Sequence, residues 1–137
     1  MRELTVRLTD LHIRHFHDTG YLLVPHAVPV ALCERLIAFI RQETRRENPP
    51  AGKLHRFHDR APALVRDVIA GPALVGALTR LLGPNVVCVT NRHNHAGLNP
   101  PGAAIVRYHR DILQPTRGLV TAILYLQEST SPTAAHT

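Results

Sequence analysis

One histidine in this chain is followed two positions later by an acidic residue: His109-Arg110-Asp111. In an extended segment residues i and i+2 point to the same face. His109 and Asp111 can therefore aim an imidazole and a carboxylate at a common point. Joined by a second histidine from a distant strand, such a pair makes a 2-His-1-carboxylate facial triad. That arrangement leaves positions on Fe(II) open for a bidentate co-substrate and O2. The spacing alone is a weak signal. The competing reading is an aspartate at a strand end that accepts a hydrogen bond from a nearby His or Arg, and from spacing alone it is the favoured one.

The chain holds ten histidines, and seven of them fall into three groups: His12, His15 and His17; His55 and His58; His93 and His95. Around the last group, Asn91-Arg92-His93-Asn94-His95 reads as an unusually polar strand. Alternation puts Asn91, His93 and His95 on one face. That face either lines a co-substrate pocket or faces solvent on an edge strand. Farther on, Thr121, Ile123 and Tyr125 share a face opposite Val120, Ala122, Leu124 and Leu126. The apolar face should pack under helices. Thr121 is a candidate hydrogen-bond donor to a bound carboxylate, against the simpler role of a packed β-branched residue. His12 and His15 have helical i,i+3 spacing but no third ligand at suitable spacing, and the first group reads as surface. His55 and His58 read as loop residues within reach of a substrate.

The elements that would position these residues are helical first and extended later. Thr9 to Asp18 forms a short helix, capped by Thr9 or Asp10 and ended by Gly20. Tyr21 to Val24 is a short β run closed by Pro25. The surest helix runs from about Pro29 to Arg46, with Leu32, Leu36 and Ile40 on its apolar face and Glu34, Arg35, Arg41, Gln42 and Arg45 opposite. Asn48-Pro49-Pro50 stops it, and Ala51 to Arg60 reads as a polar loop. Helices follow over Pro62 to Ala70 and Pro72 to Leu82, each started by a proline and closed before a glycine. Leu74, Leu78, Leu81 and Leu82 form a stripe expected to be buried. From Gly83-Pro84 onward the pattern is strand-like: Val86 to about His95, Ala103 to His109, and Leu119 to Gln127. Helices before antiparallel strands predict an α+β fold with helices on one face of a sheet. Residues 1–137 form one domain in this reading, mainly helical over 1–83 and mainly strand over 84–137.

With these residues in order, the sequence resembles the phytanoyl-CoA dioxygenase family over roughly residues 10–132. The resemblance rests on Phe16-His17-Asp18-Thr19-Gly20-Tyr21-Leu22-Leu23-Val24-Pro25, on the long amphipathic helix after it, and on Asn91 to Asn99 preceding Tyr108 to Thr130. It implies a double-stranded β-helix (a jelly-roll or cupin-like sheet) and an Fe(II)- and 2-oxoglutarate-dependent dioxygenase that hydroxylates a small organic molecule. His109 and Asp111 match the first two iron ligands. The family's later histidine ligand, and the arginine that holds the far carboxylate of 2-oxoglutarate, have no match before Thr137. His136, next to the terminus, is a poor candidate for a rigid third ligand. The expectation is an incomplete jelly roll, truncated relative to the family. The alternative is a catalytically inactive fragment or binding module of the same fold, with an exposed sheet edge open to self-association.

Composition sets the remaining bounds. Hydrophobic residues make up 45% of the 137, enough for a core, but aromatics only 4%, so aliphatic side chains must build it. No apolar run reaches the ~18 residues of a membrane span, and MRELTVRLTD carries charges where a signal peptide is apolar. A cytoplasmic protein with no membrane partner is expected. Cys33 and Cys88 form no CxxC and read as small buried apolar residues. The net charge of +6 raises nucleic acid as a partner, but Lys53 is the only lysine and Arg45-Arg46 the only adjacent basic pair. A solvated arginine-rich surface and a small-molecule substrate are expected instead.

Overall fold

A computed structural model of the chain describes residues 7–46, 53–90, 94–97 and 118–127. The first helix, α1 (Asp10–Thr19), begins at Thr9 in extended conformation. Its backbone N–H donates to His12 Nδ1 (3.0 Å), and the His12 N–H donates back to Thr9 Oγ1 (3.4 Å). Two N–H groups that the first helical turn would leave without partners are thus satisfied, with histidine in the place usually held by Glu or Gln. Gly20 closes the helix in the left-handed region (φ 81°), where its N–H donates to the Phe16 carbonyl (2.8 Å). Thr9 is exposed, so Thr9→Ala removes the cap without opening a cavity. It is expected to destabilise the protein by about 1 kcal/mol, read as a fall of roughly 3–5 °C in Tm by circular dichroism. An unchanged Tm would remove the cap from the account.

The second helix, α2 (Val30–Arg46), is initiated by the Pro29 carbonyl, which accepts from the N–H groups of Leu32 (2.9 Å) and Cys33 (3.1 Å). Leu32, Leu36, Ile40 and Thr44 recur every fourth residue and are buried. The Thr44 hydroxyl donates to the Ile40 carbonyl (2.9 Å), so the one polar member of this stripe is paired. Glu34, Arg35, Arg41, Gln42 and Arg45 are exposed, on the polar face expected of them.

The stretch expected as a polar loop contains two elements instead. Strand β1 (Lys53–His55) leads through Arg56, at φ 53°, into the one-turn helix α3 (Phe57–Arg60). The reason is tertiary: Leu54 and Phe57 are the apolar residues of a polar stretch, and both are buried. Helices α4 (Pro62–Ile69) and α5 (Pro72–Leu82) each carry proline in the first turn and bend by 60° at their junction. No single described helix is long and apolar enough to cross a membrane; α4 and α5 meet that test only as a bent pair.

Strand β2 (His95–Gly97) pairs antiparallel with β1 in the register Lys53↔Gly97, Leu54↔Ala96 and His55↔His95. Leu54 and Ala96 point into the core, and Lys53, His55, His95 and Gly97 point away from it. The core joins Leu32, Leu36 and Ile40 of α2 to Leu54, Phe57, Ala61 and Val68. Phe39 and Phe57 meet edge-to-face at 5.7 Å. The described residues are therefore mixed α and β, with helices covering one face of a small antiparallel sheet.

Several expected elements differ. Tyr21–Val24 and residues 84–90 form no strand, and neither does 118–127. Ala103–His109 lies outside the described residues. The alternation of the last segment persists in part: Val120, Leu124 and Leu126 are half-buried, with the two leucines on the core, and Thr121, Ile123 and Tyr125 are exposed, but Ala122, expected on the apolar face, is exposed as well. Its start lies against α5, since a Cβ on Gly118 would come within 3.3 Å of Leu82. In α5 the fully buried residues are Ala73 and Ala77. Leu74, Leu78 and Leu81 are half-buried and Leu82 is exposed. The helix approaches its neighbours along its small side chains, so the leucines flank the contact. The cysteines also depart from expectation: Cys33 is half-buried and Cys88 exposed.

Candidate functional site

Of the five residues singled out for metal or co-substrate binding, Thr121 is described; Asn91, His93, His109 and Asp111 lie outside the described residues. Thr121 is exposed on the side of its segment opposite Leu124 and Leu126, which rest on the core. Thr121 is thus not packed into the core. Among the described residues, no group of three or more His, Cys, Asp or Glu side chains is arranged to hold a metal ion. The described residues therefore supply no ligand set for iron, and His109 and Asp111 remain its candidate holders on their sequence spacing.

The polar strand is built around Asn94 and His95. The Asn94 backbone carbonyl accepts from the Phe57 N–H (3.2 Å), and its side-chain oxygen accepts from the His58 N–H (2.9 Å). Both donors belong to the first turn of α3, whose preceding residue, Arg56, offers no side-chain cap. A residue distant in sequence thus does the work of an N-cap. His95, next along, points to the open face of the sheet with His55 directly across from it. Their ring centroids are 6.2 Å apart. Asn91 and His93, expected on the same face as His95, lie outside the described residues.

His58 is helical rather than part of a loop. Its Nε2 sits 2.8 Å from Asp59 Oδ1, and its buried Nδ1 has no partner. Nε2 is then the nitrogen that carries the proton toward the carboxylate in the neutral ring. Arg56 contacts the other oxygen of Asp59 at 2.6 Å. On α1, His12, His15 and His17 are exposed, as expected of surface residues, although His12 also closes the cap and His15 packs edge-on to Tyr21 at 5.4 Å.

The arginines are distributed among acidic partners. Arg35 meets Asp67 (3.2 Å), Arg80 meets Asp10 (2.6 Å), and Arg46 and Arg60 converge on Glu43 (2.8 and 3.7 Å). Most of these side chains are substantially exposed, so each pair contributes at most about 1 kcal/mol. Their structural content is connectivity: Arg80–Asp10 ties α5 to α1, and Arg35–Asp67 ties α2 to α4.

Sequence reasoning missed the cross-strand pairing of His55 with His95. The available signal was the match between Lys53-Leu54-His55 and His95-Ala96-Gly97, each with a central apolar residue and a histidine at one end. No protein-family model, curated protein or solved structure matches the chain.

Proposed function

We propose that this chain carries part of the active site of a non-haem Fe(II)- and 2-oxoglutarate-dependent dioxygenase, acting on a small organic molecule. The observation that carries the reading is His109-Arg110-Asp111, set between a Pro/Gly turn (Asn99 to Gly102) and the apolar segment Leu119 to Gln127. Two features of the structure are in keeping with it: helices cover one face of an antiparallel sheet, and Thr121 and His95 lie on faces directed away from the core. The double-stranded β-helix belongs to the same proposal, because the described residues contain two paired strands and such a barrel needs about eight.

In this proposal a ring nitrogen of His109 and the Asp111 carboxylate hold the metal. Asn91, His93 and Thr121 offer hydrogen bonds to the co-substrate. Loaded with Fe(II) and 2-oxoglutarate, the site supplies oxidation of a substrate C–H bond by O2, coupled to conversion of 2-oxoglutarate to succinate and CO2. The protein's part is to hold both ligands rigidly and leave the remaining positions open. The working location is the cytoplasm, and no membrane or nucleic-acid partner is needed.

The test is succinate release from 2-oxoglutarate by the purified chain under air, with and without Fe(II). Fe(II)-dependent succinate, slow for a site held by His109 and Asp111 alone, is the expected result. If no succinate forms, and Fe(II) retention in equilibrium dialysis is unaffected by 2-oxoglutarate, the oxygenase reading fails. The same fold as a binding module then becomes the account to pursue.

A further inference from the structure

We propose that His55 and His95 form a second metal site, a cross-strand pair that takes a divalent transition ion of the zinc, copper or nickel class and clamps β1 to β2. The proposal uses neither His109 nor Asp111 and does not rest on the oxygenase reading.

The register sets the geometry. His55 and His95 are direct partners across an antiparallel ladder, where Cβ atoms of opposed residues lie about 4.5–5.5 Å apart. Both side chains are on the open face, because Leu54 and Ala96 occupy the face toward the helices. An imidazole nitrogen binds zinc at about 2.0–2.1 Å, which places each ring centre about 3.2 Å from the ion. Two rings on one ion then have centres from about 5 Å apart at a tetrahedral angle to about 6.4 Å when opposed. The observed separation is 6.2 Å, with ring planes inclined by 49°. At 6.2 Å the two centres stand at the wide end of that range, so closing onto one ion takes a side-chain rotation that turns a nitrogen of each ring toward the other. Neutral imidazole favours zinc, copper and nickel over magnesium or calcium, which prefer oxygen ligands.

The two strands are three residues each, and a lone two-stranded sheet is marginal in water. Residues 53–55 and 95–97 are separated by all of α3, α4 and α5. An ion bridging them closes that long loop and holds Asn94, which caps α3, in place. Binding is therefore coupled to the order of this end of the molecule. With half the ligands of a four-ligand structural site, the expected Kd is on the order of 1–100 µM.

The test uses the full chain carrying H109A and D111A, so that the proposed iron site cannot contribute. Zn(II) is titrated by calorimetry into this background, and into the same background with His55→Ala, His95→Ala or, as a control, His17→Ala. The expected result is one site per chain, weakened at least tenfold by either His55→Ala or His95→Ala and unchanged by His17→Ala. Equal affinity in all four proteins overturns the proposal, as does weakening by His17→Ala to the same extent. A second measurement needs no substitution in the pair: diethyl pyrocarbonate modification mapped by mass spectrometry. Saturating Zn(II) should protect His55 and His95 together while His17 continues to react; modification of His55 at its metal-free rate contradicts the site.

Discussion

Asp111→Ala is expected to lower Fe(II)-dependent succinate formation by at least about 100-fold. The bound comes from comparison. Losing a residue that merely orients a metal ligand costs about 10–100-fold in affinity or activity, and losing a ligand itself must exceed that. His109→Ala should do the same, and combining the two should add little, because residues that act as one unit are not additive. Asp111→Glu keeps the charge but moves it outward by one methylene, and should retain Fe(II) better than Asp111→Ala while turning over more slowly than the parent. Asp18→Ala is the matched control: an exposed carboxylate directly after a histidine, on α1, whose loss should leave succinate formation unaltered. Comparable turnover in Asp111→Ala and the parent would return Asp111 to the simpler role of accepting a hydrogen bond at a strand end.

Helices α1, α2, α4 and α5 were legible because each carries its own instructions. Thr9 and Gly20 bracket α1, Pro29 opens α2, and Pro62 and Pro72 sit in the first turns of α4 and α5. The four-residue recurrence of Leu32, Leu36 and Ile40 also named the buried face of α2 correctly. Local chemistry settles these features, so a single sequence contains them. The sheet was harder to read because its strands are three residues long, too short for alternation to register, and because pairing depends on a partner some forty positions away. Arg56 is a case in point. Nothing in its side chain asks for positive φ, and it adopts 53° because Leu54 and Phe57 on either side must both reach the core. The burial of Ala73 and Ala77 ahead of the leucines of α5 follows the same logic: hydrophobicity marks a face, but close approach selects the small residues on it. For the candidate site, the residue types and their alternation were readable. Thr121 and His95 do sit away from the core, but the histidine placed opposite His95 depends on register, for which two matched three-residue segments were the one faint signal.

Leu54→Ala is expected to give the largest loss of stability of any single truncation in the described core, about 2–5 kcal/mol. Among the described residues, Leu54 is the one large side chain with no exposed surface at all. It sits at the centre of β1, packs into the cluster formed by α2, α3 and α4, and faces Ala96 across the sheet. Ala96 is too small to fill the space that truncation opens, and the strand has only one residue on either side of Leu54 to hold its position. Loss of this anchor therefore removes transfer energy, leaves a cavity and loosens the register that sets His55 opposite His95. At about 3–5 °C per kcal/mol for a chain of this size, Tm should fall by roughly 6–25 °C. Leu11→Ala, at 66% exposure on α1, should stay within about 0.5 kcal/mol of the parent. The pair of variants also separates stability from register. If Leu54→Ala lowers Tm and weakens Zn(II) binding while Leu11→Ala changes neither, the strand pairing is what holds the two histidines together. If Leu54→Ala melts within a degree of the parent, β1 is not seated on α2 and the packing described for this end of the molecule is wrong.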